Sequence, residues 1–357
     1  MNVNEVISNI AALKCDSEIG SYKLLHPNDD VNKSQSTNDT FPAAIQISVI
    51  DLISKKLIPS IEKLYSELDN KGKKWNKLIK IGRTHFQDAV PITFEQEISA
   101  WSSQLKDAKD SILKSINDLE RLPLGGTAVG TGINCPNNFS EEVIKIINKE
   151  TQYNFKNAGN NFSLMASHDR LANVMSQLKN LACSLFKISN DIKILSSGPR
   201  AGIYELILPQ NEPGSSIMPG KVNPTQCEAM SMICAQIMGF EYSISIANCS
   251  GTLQMNEYKP LIGFNLLTSI KLLSQAMDNF KNKLVKGMEP NHKSTKLNLE
   301  NSLMLVTALV PEIGYEKAAK IAQLAFKESI SLKEANAKLG FLDKSKFEEI
   351  IDIKDMI

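Results

Sequence analysis

The stretch GSSIMPGKVNP, residues 214–224, combines residue types that could bind a negatively charged ligand. Its glycines and prolines end helices and shape loops. Its serines, asparagine and lysine supply hydrogen-bond donors, and the lysine adds a positive charge. The stretch is therefore predicted to be a loop that surrounds an anion. A purely structural turn would explain the glycines and prolines but not the Ser-Ser pair, the lysine and the asparagine.

Three more polar loops interrupt the chain and could share that chemistry. They are HPNDDVNKSQSTND (26–39), GRTHFQDAVP (82–91) and LPLGGTAVGTG (122–132). Most of these loops lie next to long helical patterns, and the free backbone N–H groups and the dipole at a helix N-terminus favour anions. A folded helical bundle is expected to bring such loops together at helix ends.

Common alternatives for the 214–224 loop fail on spacing. A nucleotide-binding P-loop has four residues between its glycines and a Ser or Thr after its lysine, whereas Gly214 and Gly220 enclose five residues and Val222 follows Lys221. The G-x-S-x-G motif of serine hydrolases is absent. The histidines at 26, 85, 168 and 292 do not have the spacing of metal ligands.

Composition narrows the class of protein further. The 357 residues are 42% hydrophobic and 22% charged, with 40 Lys+Arg against 39 Asp+Glu, so no charge excess favours a nucleic acid or an anionic membrane. No apolar run of transmembrane length and no signal-peptide pattern is found. The scattered cysteines at 15, 135, 183, 227, 234 and 249 indicate free thiols in a reducing compartment.

Helical periodicity is the clearest structural signal. Apolar residues recur with alternating spacings of three and four, which is typical of long bundle helices. The repeats are Leu57, Ile61, Leu64, Leu68; Ile98, Trp101, Leu105, Ala108, Ile112, Ile116, Leu119; Leu171, Val174, Leu178, Leu181, Leu185, Ile188, Ile192, Leu195; and Ile270, Leu273, Met277, Phe280, Leu284. Pro59 is expected to kink the first of these helices.

A fifth helical segment, from about 225 to 249, is apolar on nearly every face and is therefore predicted to be enclosed on all sides. Each of the five rods should be roughly 30 to 40 Å long. After about residue 290 the pattern changes to short helices, one of them with a capping box at Ser331 and Glu334 and a glycine stop at Gly340. The predicted fold class is all-α, a long central helical bundle with a small helical C-terminal domain.

The four loops together resemble the sequence blocks of class II fumarases, of the fumarase/aspartase superfamily, in the family's order and spacing. The resemblance implies an all-α homotetramer whose twenty-helix core receives five helices from each subunit, in agreement with the five rods. It also implies a remnant of an N-terminal domain at 1–35, a central bundle at 36–290 and a C-terminal domain at 291–357. No cofactor or metal, no nucleic acid and no membrane is implied, and the expected location is the cytoplasm, or the mitochondrial matrix in a eukaryote.

The resemblance assigns roles to individual residues. Ser215 matches the proposed base that removes a proton next to a carboxylate. His85, paired with a glutamate that matches Glu228, would protonate the leaving hydroxyl or position water. The residues that match substrate-binding positions are Ser36, Thr37, Asn38, Thr84, Ser216, Lys221, Val222 and Asn223. His26, Pro27, Asn28 and Asp29 resemble a secondary anion site.

Structural explanations compete with some of these assignments. The segment from Gln35 to Asn38 could also be an N-cap for the following helix, and both descriptions can hold. Gly125, Gly126, Gly130 and Gly132 are expected to serve close backbone packing. Cys227 and Cys234 lie on the apolar 225–249 segment and are expected to be core residues.

The chain departs from the resemblance at its start. Class II fumarases have about a hundred residues before a motif like GSGTQTNMNVNEV, whereas this sequence begins at MNVNEV. The preceding part of the family includes a Ser and a Thr that contact substrate, so we expect the site of this chain alone to be incomplete.

The leading functional hypothesis is a fumarate hydratase, which interconverts fumarate and (S)-malate in the tricarboxylic acid cycle by anti addition of water. An aspartate ammonia-lyase is the second hypothesis. Aspartases resemble GRTQ and IMPAKVNP, whereas this chain has His85 and Gly220. The third hypothesis is a catalytically silent helical assembly fragment.

Overall fold

The computed structural model of the chain describes residues 1–353 and 356–357 in full and only the backbone of residues 354 and 355. The chain divides into two compact units. The first unit comprises Met1–Ser60, Asp107–Cys183 and Ile233–Gln275. The second comprises Ile61–Lys106, Ser184–Met232 and Ala276–Ile357. The domain boundaries inferred from the resemblance, at residues 35 and 290, stay a prediction.

All five predicted rods are helical. Their bounds are Thr37–Leu52 continued by Ile53–Leu57 and Ile58–Lys74, then Phe94–Ile116, Asp169–Leu195, Thr225–Cys249 and Lys259–Phe280. The shorter helical segments are Asn2–Lys14, Pro27–Val31, Asn117–Glu120, Phe139–Thr151, Asn161–Ala166, Lys281–Val285, His292–Asn301, Leu303–Leu309, Val310–Ile313, Tyr315–Glu328, Leu332–Leu339, Lys344–Ile350 and Ile353–Met356.

The four apolar repeats read from the sequence lie inside the protein. Every residue of the Leu171–Leu195 repeat is buried, and so is every residue of the repeats that begin at Leu57, Ile98 and Ile270. Burial of these stripes is the main favourable term in holding the rods, because removing apolar surface from water contributes about 25 cal/mol per Å². The helical periodicity therefore located the core correctly.

Pro59 changes the winding of the first rod. The segment Ile53–Leu57 is a π-helix, and Pro59 follows in the α-helix Ile58–Lys74. Proline has no N–H, and its ring crowds the carbonyl group four residues earlier, which belongs to Lys55 within the π-helical turn. The wider π winding thus coincides with the place where an α-helical hydrogen bond cannot form.

Within one chain the helix Thr225–Cys249 is buried along one stripe only, so the expectation that it is enclosed on all sides stays a prediction about the assembly. Its buried residues include Cys227, Met230, Cys234, Ile237, Ile244 and Ala247. Met232, Tyr242 and Ile246 are 68%, 69% and 50% exposed. The apolar composition of the other faces is therefore not explained by packing inside one chain, and such surface marks a contact site in many proteins.

Strands are short. The segment 82–91, predicted to be a polar loop, forms most of an antiparallel hairpin, Ile79–Thr84 with Gln87–Thr93. A bulge interrupts the register between Ile81 and Arg83, where a side chain on Gly82 would meet the Val90 carbonyl oxygen at 2.8 Å. The pairs Arg121–Leu122 with Lys156–Asn157, and Leu206–Ile207 with Glu289–Pro290, complete the sheet structure of the described residues.

Short sequence motifs mark the ends of helices in this chain. Ser331 and Glu334 form the predicted capping box, and Gly340 ends the same helix with a left-handed backbone. Thr93 and Gln96 also exchange the two capping hydrogen bonds, at 3.1 and 2.8 Å. These bonds satisfy backbone N–H groups that a helix N-terminus leaves free. Within the described part of the chain, no helix is long and apolar enough to cross a membrane.

The six cysteines are free thiols. Cys227 and Cys234 are fully buried, as predicted from the apolar helix that carries them. Burial raises the pKa of each of these two thiols to about 12, because it disfavours the charged thiolate. Both side chains therefore act as small apolar core residues.

His168 is a buried histidine that should make stability depend on pH. It is 4% exposed, and its Nε2 lies 3.4 Å from the Asn256 carbonyl oxygen, which can only accept, so Nε2 carries the proton. Burial lowers the pKa of His168 to about 4, against an ordinary value near 6.5, and the Asn256 hydrogen bond opposes the shift.

Since the folded-state pKa is depressed, the unfolded chain binds more protons as pH falls below about 6.5. We expect the free energy of unfolding to decrease by on the order of 2 kcal/mol from this group between pH 7.5 and 5. Urea titrations at fixed protein concentration measure this change. His168→Gln should remove that part of the slope, and His292→Gln, at an exposed position, should keep it. An unchanged slope in His168→Gln would contradict the assignment.

Candidate active site

The loop 214–224 is folded tightly on itself within the second unit. A side chain on Gly214 would lie 1.2 Å from the Lys221 carbonyl oxygen, so the two backbones meet where only glycine fits. The Asn223 side-chain amide donates to the Gly214 carbonyl oxygen at 2.9 Å. Gly220 has a φ of +79°, a left-handed conformation that glycine adopts readily. The glycines and Asn223 thus close the loop that carries Ser215 and Ser216.

Ser215 receives hydrogen bonds from the loop backbone. Its Oγ accepts from the N–H of Met218 at 3.1 Å and from the N–H of Ile217 at 3.4 Å. Hydrogen bonds donated to an oxygen stabilise its negatively charged form. The loop amides are therefore groups that can activate Ser215. Ile217 and Met218 remain 82% and 47% exposed, so the loop is open to solvent.

Lys221, Val222 and Asn223 line a cavity of about 370 Å³. Its other walls include Lys193, Ser196 and Tyr204 from elsewhere in the same unit. Two lysines and several hydroxyl groups make this cavity suited to an anionic ligand. Glu228 follows the loop in the first turn of the helix Thr225–Cys249 and is exposed.

His85 occupies the tip of the hairpin. His85 and Phe86 are the two turn residues between the paired Thr84 and Gln87, with φ values of +54° and +60°. Positive φ at both positions defines a type I′ turn, in which Asn and Gly are the favoured residues. A histidine followed by a phenylalanine is strained there, and such strain clusters at functional sites. The turn leaves His85 exposed to solvent.

A second cavity, of about 400 Å³, lies beside His85 in the same unit. Lys80, Arg83, Glu97, Trp101 and Asp191 contribute to its walls. Trp101 donates its ring N–H to Asp191 at 2.9 Å, and Lys187 pairs with the same carboxylate. The cavity therefore combines the aromatic side chains of Phe86 and Trp101 with several polar groups that are already paired.

The Ser215 loop and His85 line different cavities of the second unit. Among the described residues, no residue lines both the His85 cavity and the Lys221 cavity, and no hydrogen bond joins His85 to Glu228. Thr84 is exposed at the hairpin beside His85. The residues assigned from the resemblance thus form two separate groups in the second unit.

A third group lies in the first unit, around Ser36. Ser36 is the N-cap of the helix Thr37–Leu52, and its Oγ accepts from the Asn38 N–H at 3.2 Å. The side-chain amide of Asn38 donates to the Ala128 carbonyl oxygen at 2.8 Å. The N-cap alternative for Gln35–Asn38 is therefore confirmed at Ser36. Thr37 is exposed at the first helical position.

Asp39 joins two of the polar loops and was not singled out from the sequence. It is fully buried; one carboxylate oxygen accepts from the Ser36 N–H and the other from the N–H groups of Gly125 and Thr127 at 3.1 and 2.9 Å. Burial raises the pKa of Asp39, and these backbone hydrogen bonds oppose the shift. The Ser-x-x-Asp spacing of a capping box is the signal that could have identified it.

The glycines of the 122–132 loop serve packing, as expected. A side chain on Gly126 would lie 2.8 Å from the Met165 sulfur, and one on Gly130 would lie 2.7 Å from the Phe162 ring. Gly125, Gly130 and Gly132 have positive φ values. This loop can therefore approach its neighbours only without side chains at these positions.

In the proposed secondary anion site, the side chain of His26 already binds some of the backbone N–H groups. His26 caps the π-helix Pro27–Val31, and its Nδ1 accepts from the N–H groups of Asn28 and Asp29 at 3.3 and 3.2 Å. The His26 N–H donates to Asp30 at 2.7 Å. Two of the amides that an anion could use are thus already bonded, and the role of this segment stays a prediction.

Comparisons with known proteins agree with this geometry. A family model described as Lyase matches residues 1–239, and one described as Fumarase C C-terminus matches residues 305–357. A class II fumarate hydratase of Prochlorococcus marinus is 71% identical over 357 residues, which is 100% of this chain and 77% of that protein. The Bacillus subtilis class II fumarate hydratase is 49% identical over 357 residues, which is 100% of this chain and 77% of that protein.

Solved structures lead to the same result. The crystal structure of a class II fumarase from Schistosoma mansoni superimposes with a TM-score of 0.95 at 42% identity, covering 99% of this chain and 77% of that chain. The fold and the loops define a lyase with a fumarase-type helical architecture. The chain belongs to the class II fumarate hydratase family.

Proposed function

We propose that this chain catalyses the reversible anti addition of water to fumarate, giving (S)-malate, with Ser215 as the base that removes the carbon-bound proton in the malate direction. The observation that carries this role is the pair of backbone N–H groups, of Ile217 and Met218, that donate to its Oγ. A serine hydroxyl is a weak base unless its surroundings activate it. Donors already aimed at the oxygen reduce the reorganisation that proton transfer requires.

We assign the second proton transfer to His85. An imidazole can protonate the leaving hydroxyl of malate or orient the attacking water, because its two nitrogens donate and accept near neutral pH. The strained, exposed turn that presents His85 supports this assignment. Glu228 would stand behind the imidazole and stabilise its charged form, as a carboxylate partner does in many enzymes.

Binding of the substrate carboxylates completes the proposal. Removing a proton next to a carboxylate places two negative charges on that group, so donors and a cation must stabilise it. Lys221 supplies the cation, and the candidate donors are Ser36, Thr37, Asn38, Thr84, Ser216 and Asn223, together with the Val222 segment of the loop.

We further propose that the chain assembles as a homotetramer whose active sites are shared between subunits. Two observations support sharing. The Ser215 loop and His85 belong to different cavities of one chain, and the helix Thr225–Cys249 presents exposed apolar side chains along its outer faces. Other copies of the chain would cover those faces and bring Ser215 of one copy to His85 of another.

Complementation between defective chains tests the shared site. Ser215→Ala and His85→Asn proteins, each in the full-length gene product, are unfolded together and refolded as mixed assemblies. We expect malate turnover to reappear well above that of either variant, because some sites then carry both wild-type side chains. Each variant refolded alone is the control. Verified mixed tetramers without recovered turnover would show that both residues come from the same chain.

The reaction itself is tested by direct assay. Purified protein is given (S)-malate or L-aspartate, and fumarate formation is followed by its ultraviolet absorbance. Fumarate from malate supports the hydratase. Fumarate from aspartate with none from malate would favour an ammonia-lyase, and no turnover of either substrate would favour a silent assembly role.

A further inference from the structure

Glu205 is a buried carboxylate at the centre of an ion network in the second unit. It is 0% exposed, and Arg83 grips it with two nitrogens, Nη2 to Oε1 at 2.7 Å and Nη1 to Oε2 at 3.1 Å. Lys80 lies 3.0 Å from Oε2, and the Asn298 amide donates to Oε1 at 3.1 Å. Both oxygens are therefore fully used, as a charge this deeply buried requires.

The buried cations of the network are paired. Lys80, itself 1% exposed, also binds Glu97 through both of its carboxylate oxygens, at 2.8 and 2.9 Å. Lys80 and Arg83 thus face Glu205 and Glu97, and the exposed Asp88 is a third carboxylate at the edge of the network. Burial alone would raise the pKa of Glu205, but the Arg83 hydrogen bonds and the charges of Lys80 and Arg83 bring that pKa below its usual range. Glu205 is therefore ionised at neutral pH.

The backbone around Glu205 is also anchored. Its N–H donates to the Leu195 carbonyl oxygen, and its own carbonyl oxygen accepts from the Asn291 N–H, each at 2.8 Å. Side chain and backbone together tie three segments of the unit to one residue: the strand Ile79–Thr84, the end of the helix Asp169–Leu195, and the helix His292–Asn301 with its N-cap Asn291. The guanidinium group of Arg83, which binds Glu205 through two nitrogens, is consequently held in one geometry.

Arg83 connects this anchor to the catalytic turn. It lies two residues before His85, on the strand Ile79–Thr84, and its Nε is 3.9 Å from Asp88 on the opposite strand. The turn between the strands contains only His85 and Phe86. With so short a turn, the position of Arg83 determines where His85 projects, and both side chains line the same cavity.

Stability alone is a weak explanation for the network. Replacing a buried ion pair by apolar residues of similar size is often neutral or stabilising. A bidentate arginine–carboxylate pair adds something that apolar packing does not, which is a defined direction for the group that carries it.

We propose that Glu205, acting through Arg83, is a positioning residue that holds the His85 turn in its catalytic orientation. The inference rests on the proposed role of His85 in fumarate hydration. Neither residue contacts the reacting atoms in this proposal. Their effect is to keep the imidazole within the narrow range of positions in which proton transfer is fast, since a misplacement of about 1 Å can cost about 10²-fold in rate.

Arg83→Lys is the decisive variant, because lysine keeps the positive charge but cannot bind the carboxylate of Glu205 through two nitrogens at once. We expect kcat to fall by roughly 10- to 100-fold while KM changes by less than about threefold. Hydrogen exchange of the backbone amides of 81–93 should become faster. On the His85→Asn background, Arg83→Lys should cause no further loss of kcat, because the two residues act through the same imidazole.

Lys71→Met is the matched control. Lys71 is a buried cation of the same unit that binds the Met288 carbonyl oxygen and Glu289, without contact to the hairpin. Its loss should reduce stability and leave kcat per folded site within about twofold of the wild type. All variants are compared at a temperature at which light scattering shows the wild-type assembly.

Normal kcat in Arg83→Lys would overturn the proposal, whatever the exchange rates. A further loss of kcat on the His85→Asn background would also overturn it, because it would indicate a role independent of the imidazole. If the wild type itself hydrated no fumarate, the proposed function would fail. The hydrogen-exchange rates of the hairpin amides would still decide whether the Arg83–Glu205 pair holds the turn.

Discussion

Replacing Ser215 by alanine is expected to lower turnover of fumarate and malate by about 10²–10⁴-fold, the range typical for loss of a general base. The structural reason is specific to this side chain. Its Oγ is the oxygen to which Ile217 and Met218 donate their N–H groups, so no neighbouring hydroxyl can replace it without moving the loop. The loop closure through Gly214 and Asn223 does not involve Oγ and should survive.

Steady-state kinetics and light scattering measure this effect in the same preparation. Ser99→Ala is the matched control, since Ser99 belongs to the same unit, lies outside the walls of both cavities described above, and donates its Oγ to the Gln96 carbonyl oxygen. The control should keep turnover within about threefold of the wild type. A Ser215→Ala protein with near-normal turnover and a normal assembly would refute the assignment of the base.

His85→Asn should also lower hydration by about 10²–10⁴-fold, because asparagine cannot transfer a proton near neutral pH. Asparagine is the substitution of choice for a structural reason. It tolerates the left-handed backbone that His85 adopts at φ +54°, so the hairpin turn should be preserved. The loss can then be attributed to the imidazole and not to a rearranged turn.

Isotope exchange separates the two proton transfers. In His85→Asn, exchange of the carbon-bound proton of malate with solvent should fall less than net hydration does, because Ser215 still removes that proton. His292→Asn, at an exposed helix start, is the control and should behave as the wild type. Equal losses of exchange and hydration would mean that the two transfers are divided wrongly between Ser215 and His85.

Much of this molecule follows from local signals in the sequence. Spacings of three and four located four of the five rods, because burial of one apolar stripe per helix dominates the energetics of a bundle. The capping boxes at Ser331 and Thr93 and the stop at Gly340 were predictable, since each involves residues within one turn of the helix. The loop composition of 214–224 pointed to an anion for the same reason, because its donors are neighbours along the chain.

Other features depend on segments far apart in the chain, and no local pattern reports them. Glu205 meets Arg83 across more than a hundred residues of sequence. Asp39 joins the 122–132 loop in the same non-local way. The helix Thr225–Cys249 was predicted to be enclosed because its composition is apolar on all faces; one chain covers a single stripe, and the enclosure of the other faces stays a prediction about the assembly. Composition determines which surfaces must leave water, whereas only the tertiary structure determines which neighbours inside the chain cover them.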